Sequence, residues 1–108
     1  QGVGQVLMEN CVYAEGTGQL LSGSFMDYCM PRADDFPFFT TEGNEVITAG
    51  NPLGVKGGGE AGTTGALAVV MSAIVDALEI YGITEFQMPA TPERVWRAIR
   101  DAKDQIAI

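Results

Sequence analysis

The sequence predicts an α+β architecture with about three helices, a central buried one near residues 64–81, and several short strands. Three observations carry that prediction. An apolar run with helical spacing occupies residues 66–81, a well-formed helix start stands at Thr91-Pro92-Glu93, and stretches rich in β-formers lie between glycine and proline turns.

Taken in order, residues 3–13 place Val3, Val6, Leu7 and Cys11 on one strip, with Met8 and Val12 beside it. This spacing predicts a moderately amphipathic helix. Glu15-Gly16-Thr17-Gly18 reads as a turn, and residues 19–30 mix β-formers with small polar residues. Pro31 and Pro37 bracket a loop containing Asp34 and Asp35. Residues 38–42, 45–48 and 83–88 are strand candidates by β-propensity. In the run 66–81, Leu67, Val70, Met71, Ile74, Leu78 and Tyr81 recur at i, i+3, i+4 and i+7. The opposite face is also apolar apart from Asp76 and Glu79, so this helix is expected to be buried, with Gly82 as its C-terminal cap. Thr91 as N-cap, Pro92 at the first helical position and Glu93 in the first turn then open a last helix. Its inner stripe is Val95, Ala98, Ile99 and Ala102, Glu93 and Arg97 form an i,i+4 pair, and Trp96 is assigned to the core.

Composition bounds the function. With 46% hydrophobic residues the chain can bury a core, and its 108 residues suit one segment, a single small domain or part of a larger one. A formal net charge of −8 argues against nucleic acid as a partner. Four of the six basic residues (Arg94, Arg97, Arg100, Lys103) crowd into the last stretch of the chain, and the late ones match the negative end of the helix dipole, so the cluster needs no ligand to explain it. No apolar run is read as reaching the ~20 residues of a membrane span, and no signal peptide is recognised, so no membrane partner is expected. Cys11 and Cys29 stand apart, without a CxxC or any histidine. Common zinc sites are excluded, and two buried thiols in a reducing compartment place the chain in the cytoplasm. The opening Gln1-Gly2-Val3-Gly4-Gln5, with no initiator methionine, reads as part of a longer polypeptide.

Six of the fourteen glycines fall between Leu53 and Ala66, surrounding Glu60. Such density costs backbone entropy, and its usual return is close backbone approach to a ligand. Gly57-Gly58-Gly59-Glu60-Ala61-Gly62 formally satisfies GxGxxG, with Glu85 downstream where a ribose-binding acid is expected. Pro52 interrupts the strand that should precede such a loop, and Glu60 would meet pyrophosphate with negative charge. Lys56 precedes the glycines, so no Walker loop exists. What remains is a carboxylate that complements a helix dipole, or a general base held by rigid backbone. The dipole should keep that base ionised.

The stretch Asn51-Pro52-Leu53-Gly54-Val55-Lys56-Gly57-Gly58-Gly59-Glu60-Ala61-Gly62-Thr63 resembles the C-terminal active-site segment of the molybdopterin-binding large subunit of the xanthine oxidase family of molybdenum hydroxylases. The likeness extends to Gln1-Gly2-Val3-Gly4-Gln5, Gly23-Ser24-Phe25-Met26-Asp27-Tyr28, Pro31-Arg32-Ala33-Asp34, Met88-Pro89 and Thr91-Pro92-Glu93-Arg94-Val95-Trp96. The Glu-Ala-Gly-Thr version resembles the carbon monoxide dehydrogenase-like branch. The resemblance implies that Glu60 is the catalytic base, activating a molybdenum-bound hydroxyl for oxidation of a small substrate such as CO, an aldehyde or an N-heterocycle. It implies that Gly57, Gly58 and Gly59 lie as backbone near the molybdenum centre, although a small aliphatic residue is more usual at Gly58. The partners implied are the remainder of the large subunit, iron–sulfur and FAD-binding subunits or domains, and a molybdopterin-type cofactor bound by the complete enzyme. The segment alone is expected to bind no cofactor, to be inactive and to associate, a homo-oligomer being one outcome. Two rival readings are a non-enzymatic assembly module or relic, and a dinucleotide-binding unit. The gene upstream of Gln1 separates the first, and calorimetric titration with a dinucleotide separates the second.

Overall fold

In the computed structural model, which describes residues 1–106, three α-helices account for most of the regular structure. Helix α1 is Gly2–Leu7, α2 is Ala61–Leu78 continued by a 3-10 turn Glu79–Tyr81, and α3 is Pro92–Ile106; a second 3-10 turn covers Ala33–Asp35. Among the described residues the several short strands are absent, and a single antiparallel bridge, Tyr13 with Leu20, is the only β pairing. Residues 38–42, 45–48 and 83–88 have β-forming side chains but no neighbouring strand to accept their ladder hydrogen bonds. The architecture of the described residues is therefore helical with long irregular connections.

Helix α1 is shorter than the pattern over residues 3–13 predicts. It ends at Leu7, and the chain then turns out to pair Tyr13 with Leu20. Gly16 and Gly18 occupy the left-handed region (φ 82° and 69°), as a tight turn there requires. Helix α2 begins five residues earlier than the apolar run, because Gly62, Thr63, Thr64 and Gly65 are helical despite poor propensity. Gly82 closes it at φ 74°, donating its N–H to the Glu79 carbonyl at 2.8 Å.

A small core ties α1 to the end of α2 and to the segment just before α3. Val6 is fully buried, Leu78 and Ala90 are nearly so, and the Ala90 N–H donates to the Val6 carbonyl at 2.6 Å. Helix α1 lies directly on the first two turns of α2. A Cβ added to Gly2 would stand 2.6 Å from Ala66 Cβ and 3.2 Å from the Thr63 carbonyl oxygen, so only glycine permits this approach. A Cβ at Gly4 would meet Pro31 at 2.5 Å. On the other side of α1, Glu9 accepts a hydrogen bond from the Tyr28 hydroxyl at 2.9 Å.

Helix α2 is central but not buried, contrary to its composition. Only Leu78 is buried along it, and Val69 and Ile80 are widely exposed. Its span Ala61–Tyr81 is also long and apolar enough to cross a membrane by length and composition, which corrects the estimate made from the apolar run alone. The thiols of Cys11 and Cys29 are exposed rather than buried. Trp96 is 58% exposed, its ring covered by Arg100 at 4.9 Å instead of by core residues.

These departures share one cause. The radius of gyration is 18.6 Å, against about 13 Å expected for a compact domain of this length. The accessible surface is 8778 Å², where a compact monomer of this mass would show roughly 5,800 Å². The apolar residues are present, but the described chain supplies too few partners to cover them.

Candidate active site

Glu60 stands at the N-cap of α2, at φ −111° and ψ 9°. Its carbonyl accepts the first helical bond from Thr64 N–H at 3.1 Å and a second from the Thr64 hydroxyl at 3.0 Å. Its side chain makes no capping bond. Among the described residues the exposed carboxylate has no hydrogen-bond or ion-pair partner, so it is free to accept a proton or a donor from outside.

Upstream, Gly57, Gly58 and Gly59 are all exposed, and a Cβ on any of them would meet no atom within 4 Å. Within this chain, then, sterics do not demand glycine here. The Ala61 N–H donates to the Gly58 carbonyl at 3.2 Å. The N–H groups of Gly57, Gly58, Gly59 and Glu60 donate to no acceptor among the described residues. The donor set is thus a run of open backbone amides beside one carboxylate. It fits a large anionic cofactor approached through backbone, and among the described residues no three His, Cys, Asp or Glu side chains converge to ligate a metal directly.

The segment before the glycines is tightly organised. Asn51 Oδ1 accepts from Leu53 N–H at 3.1 Å and Val55 N–H at 3.2 Å, while its Nδ2 donates to the Val55 carbonyl at 2.8 Å. The Gly54 N–H donates to the Asn51 carbonyl, and Thr48 N–H to the Gly54 carbonyl, each at 3.1 Å. Gly54 has φ 67°, with Ile47 Cβ 3.1 Å from where a side chain would begin. Sequence reasoning did not single out Asn51 for its own role; an Asn followed by Pro at a turn is the signal that could have found it. Gly2, which seats α1 against the start of α2, had no sequence signal of its own.

Glu85, the acid expected of a dinucleotide loop, is exposed beyond the far end of α2, and no strand leads into the glycines. Those features do not form a dinucleotide site. The basic residues of α3 are accounted for locally. Arg97 pairs with Glu93 at 2.6 Å, Arg100 with Asp101 at 3.0 Å, Arg94 donates to the Pro89 carbonyl at 2.7 Å, and Lys103 lies over Tyr81. An apolar cleft of about 670 Å³ between the helices, bordered by Leu7, Ile74, Leu78, Val95, Trp96 and Ile99, contains no residue of the glycine segment.

Comparison with known proteins bears on this arrangement. Residues 1–37 match the model of a molybdopterin cofactor-binding domain. Over 104 residues the chain is 39% identical to the nicotine 6-hydroxylase large subunit of Paenarthrobacter nicotinovorans, covering 96% of this chain and 13% of that protein. It is 32% identical over 87 residues to the carbon monoxide dehydrogenase large chain of Hydrogenophaga pseudoflava, covering 81% of this chain and 11% of the relative. The solved structure of quinoline 2-oxidoreductase from Pseudomonas putida 86 superposes with a TM-score of 0.83 at 36% identity, over 94% of this chain and 13% of that one. Together these matches support a fragment of a molybdopterin-binding large subunit. The chain spans about an eighth of the length of these relatives.

Proposed function

We propose that this segment forms one wall of the active site of a molybdenum hydroxylase, with Glu60 as its general base. The observation that carries the proposal is the unpartnered Glu60 carboxylate, set at the start of α2 beside the open amides of Gly57, Gly58 and Gly59. When bound, the molybdenum cofactor supplies the two-electron redox chemistry that oxidises a small substrate. Glu60 Oε1 or Oε2 takes up the proton that the attacking oxygen must lose, the step for which a positioned carboxylate is suited. The helix N-terminus holds the loop end of α2 in place, and α1 presses on its first two turns through Gly2. The backbone of residues 57–59 provides N–H donors to the cofactor without side chains in the way.

The excess of roughly 3,000 Å² of accessible surface over a compact monomer supports a further part of the proposal. It exceeds the area of a standard protein interface, as expected if the remainder of a large subunit covers α2 and residues 37–60. The relatives named as a large subunit, a subunit gamma and a large chain support other subunits as partners. Iron–sulfur and FAD-binding subunits or domains that carry the electrons away are the partners we propose. The substrate is a small molecule oxidised at an electron-poor centre. The exposed, unpaired Cys11 and Cys29 suit a reducing compartment, and we place the complete enzyme in the cytoplasm.

The test is Glu60→Gln in the complete enzyme. Turnover is expected to fall by at least ~10²-fold with molybdenum content unchanged. Wild-type turnover in that variant removes Glu60 from the role of base.

A further inference from the structure

We infer that Asn51 is a positioning residue for Glu60, fixing one end of the glycine segment that carries it. This rests on the reading of Glu60 as the general base. The inference starts from what does not hold the segment. Among the described residues a Cβ on Gly57, Gly58 or Gly59 would meet no atom within 4 Å, their N–H groups have no acceptor, and the Glu60 side chain is unpartnered. Glycines in that state sample a wide range of φ and ψ. Within this chain the place of Glu60 is therefore set by the two ends of the segment. The downstream end is α2 itself, with the Gly58 carbonyl bound by Ala61 N–H.

The upstream end is a knot made by one side chain. Asn51 bonds both the N–H and the carbonyl of Val55 and also the Leu53 N–H, using three of the four hydrogen bonds its amide can form. With Thr48 N–H on the Gly54 carbonyl and Gly54 N–H on the Asn51 carbonyl, residues 48–55 close into one hydrogen-bonded turn. Only Lys56 and Gly57 lie free between Val55 and the Gly58 carbonyl. Loss of the amide releases Val55 on both its polar groups. The free span then grows from Lys56–Gly57 to Val55–Gly57, the turn before it loses its side-chain bonds, and the conformations open to Glu60 multiply. Aspartate would keep the two bonds to Oδ1 but place a carboxylate oxygen against the Val55 carbonyl, where Nδ2 now donates.

The experiment is steady-state kinetics on the complete, cofactor-loaded enzyme carrying Asn51→Ala, Asn51→Asp, Glu60→Gln and the Asn51→Ala/Glu60→Gln pair. Displacement of a catalytic group by about 1 Å can cost 10²-fold, so Asn51→Ala is expected to lower kcat roughly 10-fold or more, with KM and molybdenum content unchanged. Asn51→Asp is expected to lower it at least ~3-fold, and it decides the matter if the alanine variant does not accumulate. In the Glu60→Gln background, Asn51→Ala should change kcat by less than about twofold, since a residue acting through Glu60 has nothing left to position. Wild-type kcat in the Asn51 variants alongside a crippled Glu60→Gln overturns this inference and leaves the base intact. A further 10-fold loss in the double variant overturns it as well, because Asn51 would then act by another route. Undiminished turnover in Glu60→Gln removes the base itself, whatever Asn51 does.

Discussion

The helical part of the molecule and the connection over residues 37–60 treat apolar side chains in opposite ways. Where α1, α2 and the start of α3 meet, Val6 is 0% exposed and its carbonyl is bound by Ala90, so packing and hydrogen bonding are completed inside the chain. In the connection, Phe38 is 98% exposed, and Val46, Ile47, Leu53 and Val55 are exposed too. Its order comes from local turns around Asn51 rather than from burial. The difference separates what the chain stabilises by itself from what it presents to a partner surface. Glu60 lies at the junction, anchored to α2 on one side and to the connection on the other.

Substitutions at the two ends of this contrast should behave differently. Val6→Asp places an unpartnered charge in the core and should cost at least ~3 kcal/mol in denaturant unfolding, in the chain alone and in the complete subunit alike. Phe38→Ser should change the chain alone by less than ~0.5 kcal/mol, yet destabilise the complete subunit by about 2 kcal/mol or more. Equal, negligible effects of Phe38→Ser in both settings would make the connection a solvent loop.

Gly2→Ala sharpens the contrast from the helical side. The new Cβ would lie 2.6 Å from Ala66 Cβ, so α1 and the first turns of α2 must separate. A loss of about 1–3 kcal/mol is expected for such overpacking, read as a lowered Tm of the complete subunit. An unchanged Tm would mean that α1 does not seat α2.

The smallest effect concerns Tyr28. Its hydrogen bond to Glu9, with partial burial and the charge of Glu9 adding to it, holds the phenol above its ordinary pKa. The protonated phenol is the bonded form. Its contribution to stability is therefore full below the unfolded-state pKa and lost as pH rises through the raised one. In ultraviolet titration, Glu9→Gln should move the Tyr28 transition toward lower pH. No movement would remove the Glu9 contact from the fold.

What the sequence made legible follows from which interactions are local. Thr91-Pro92-Glu93 marks the start of α3, the Glu93–Arg97 pair forms, and Gly82 caps α2, because capping and i,i+4 contacts depend only on nearby residues. Strands at 38–42, 45–48 and 83–88 did not form, since a strand needs a neighbour that the described residues lack. The burial of α2, Trp96, Cys11 and Cys29 failed for the same reason: apolar patterning shows that a face will be covered, not by which polypeptide. The start of α2 was read three residues late, because Gly62 and Thr63 have weak helix propensity and Gly2 packing against Thr63 and Ala66 is a tertiary effect. Glu60 was legible as an acid beside glycines at a helix start. That the amides around it are open, and that Asn51 organises the approach, required the three-dimensional arrangement.

The most direct test of Glu60 is the rate of reduction of the loaded complete enzyme by its substrate, followed in a single turnover by rapid mixing. With Glu60 as the base, the Glu60→Gln enzyme should be reduced at least ~10²-fold more slowly than the wild type, with molybdenum content unchanged. A Glu60→Gln enzyme that is reduced at the wild-type rate would contradict the account.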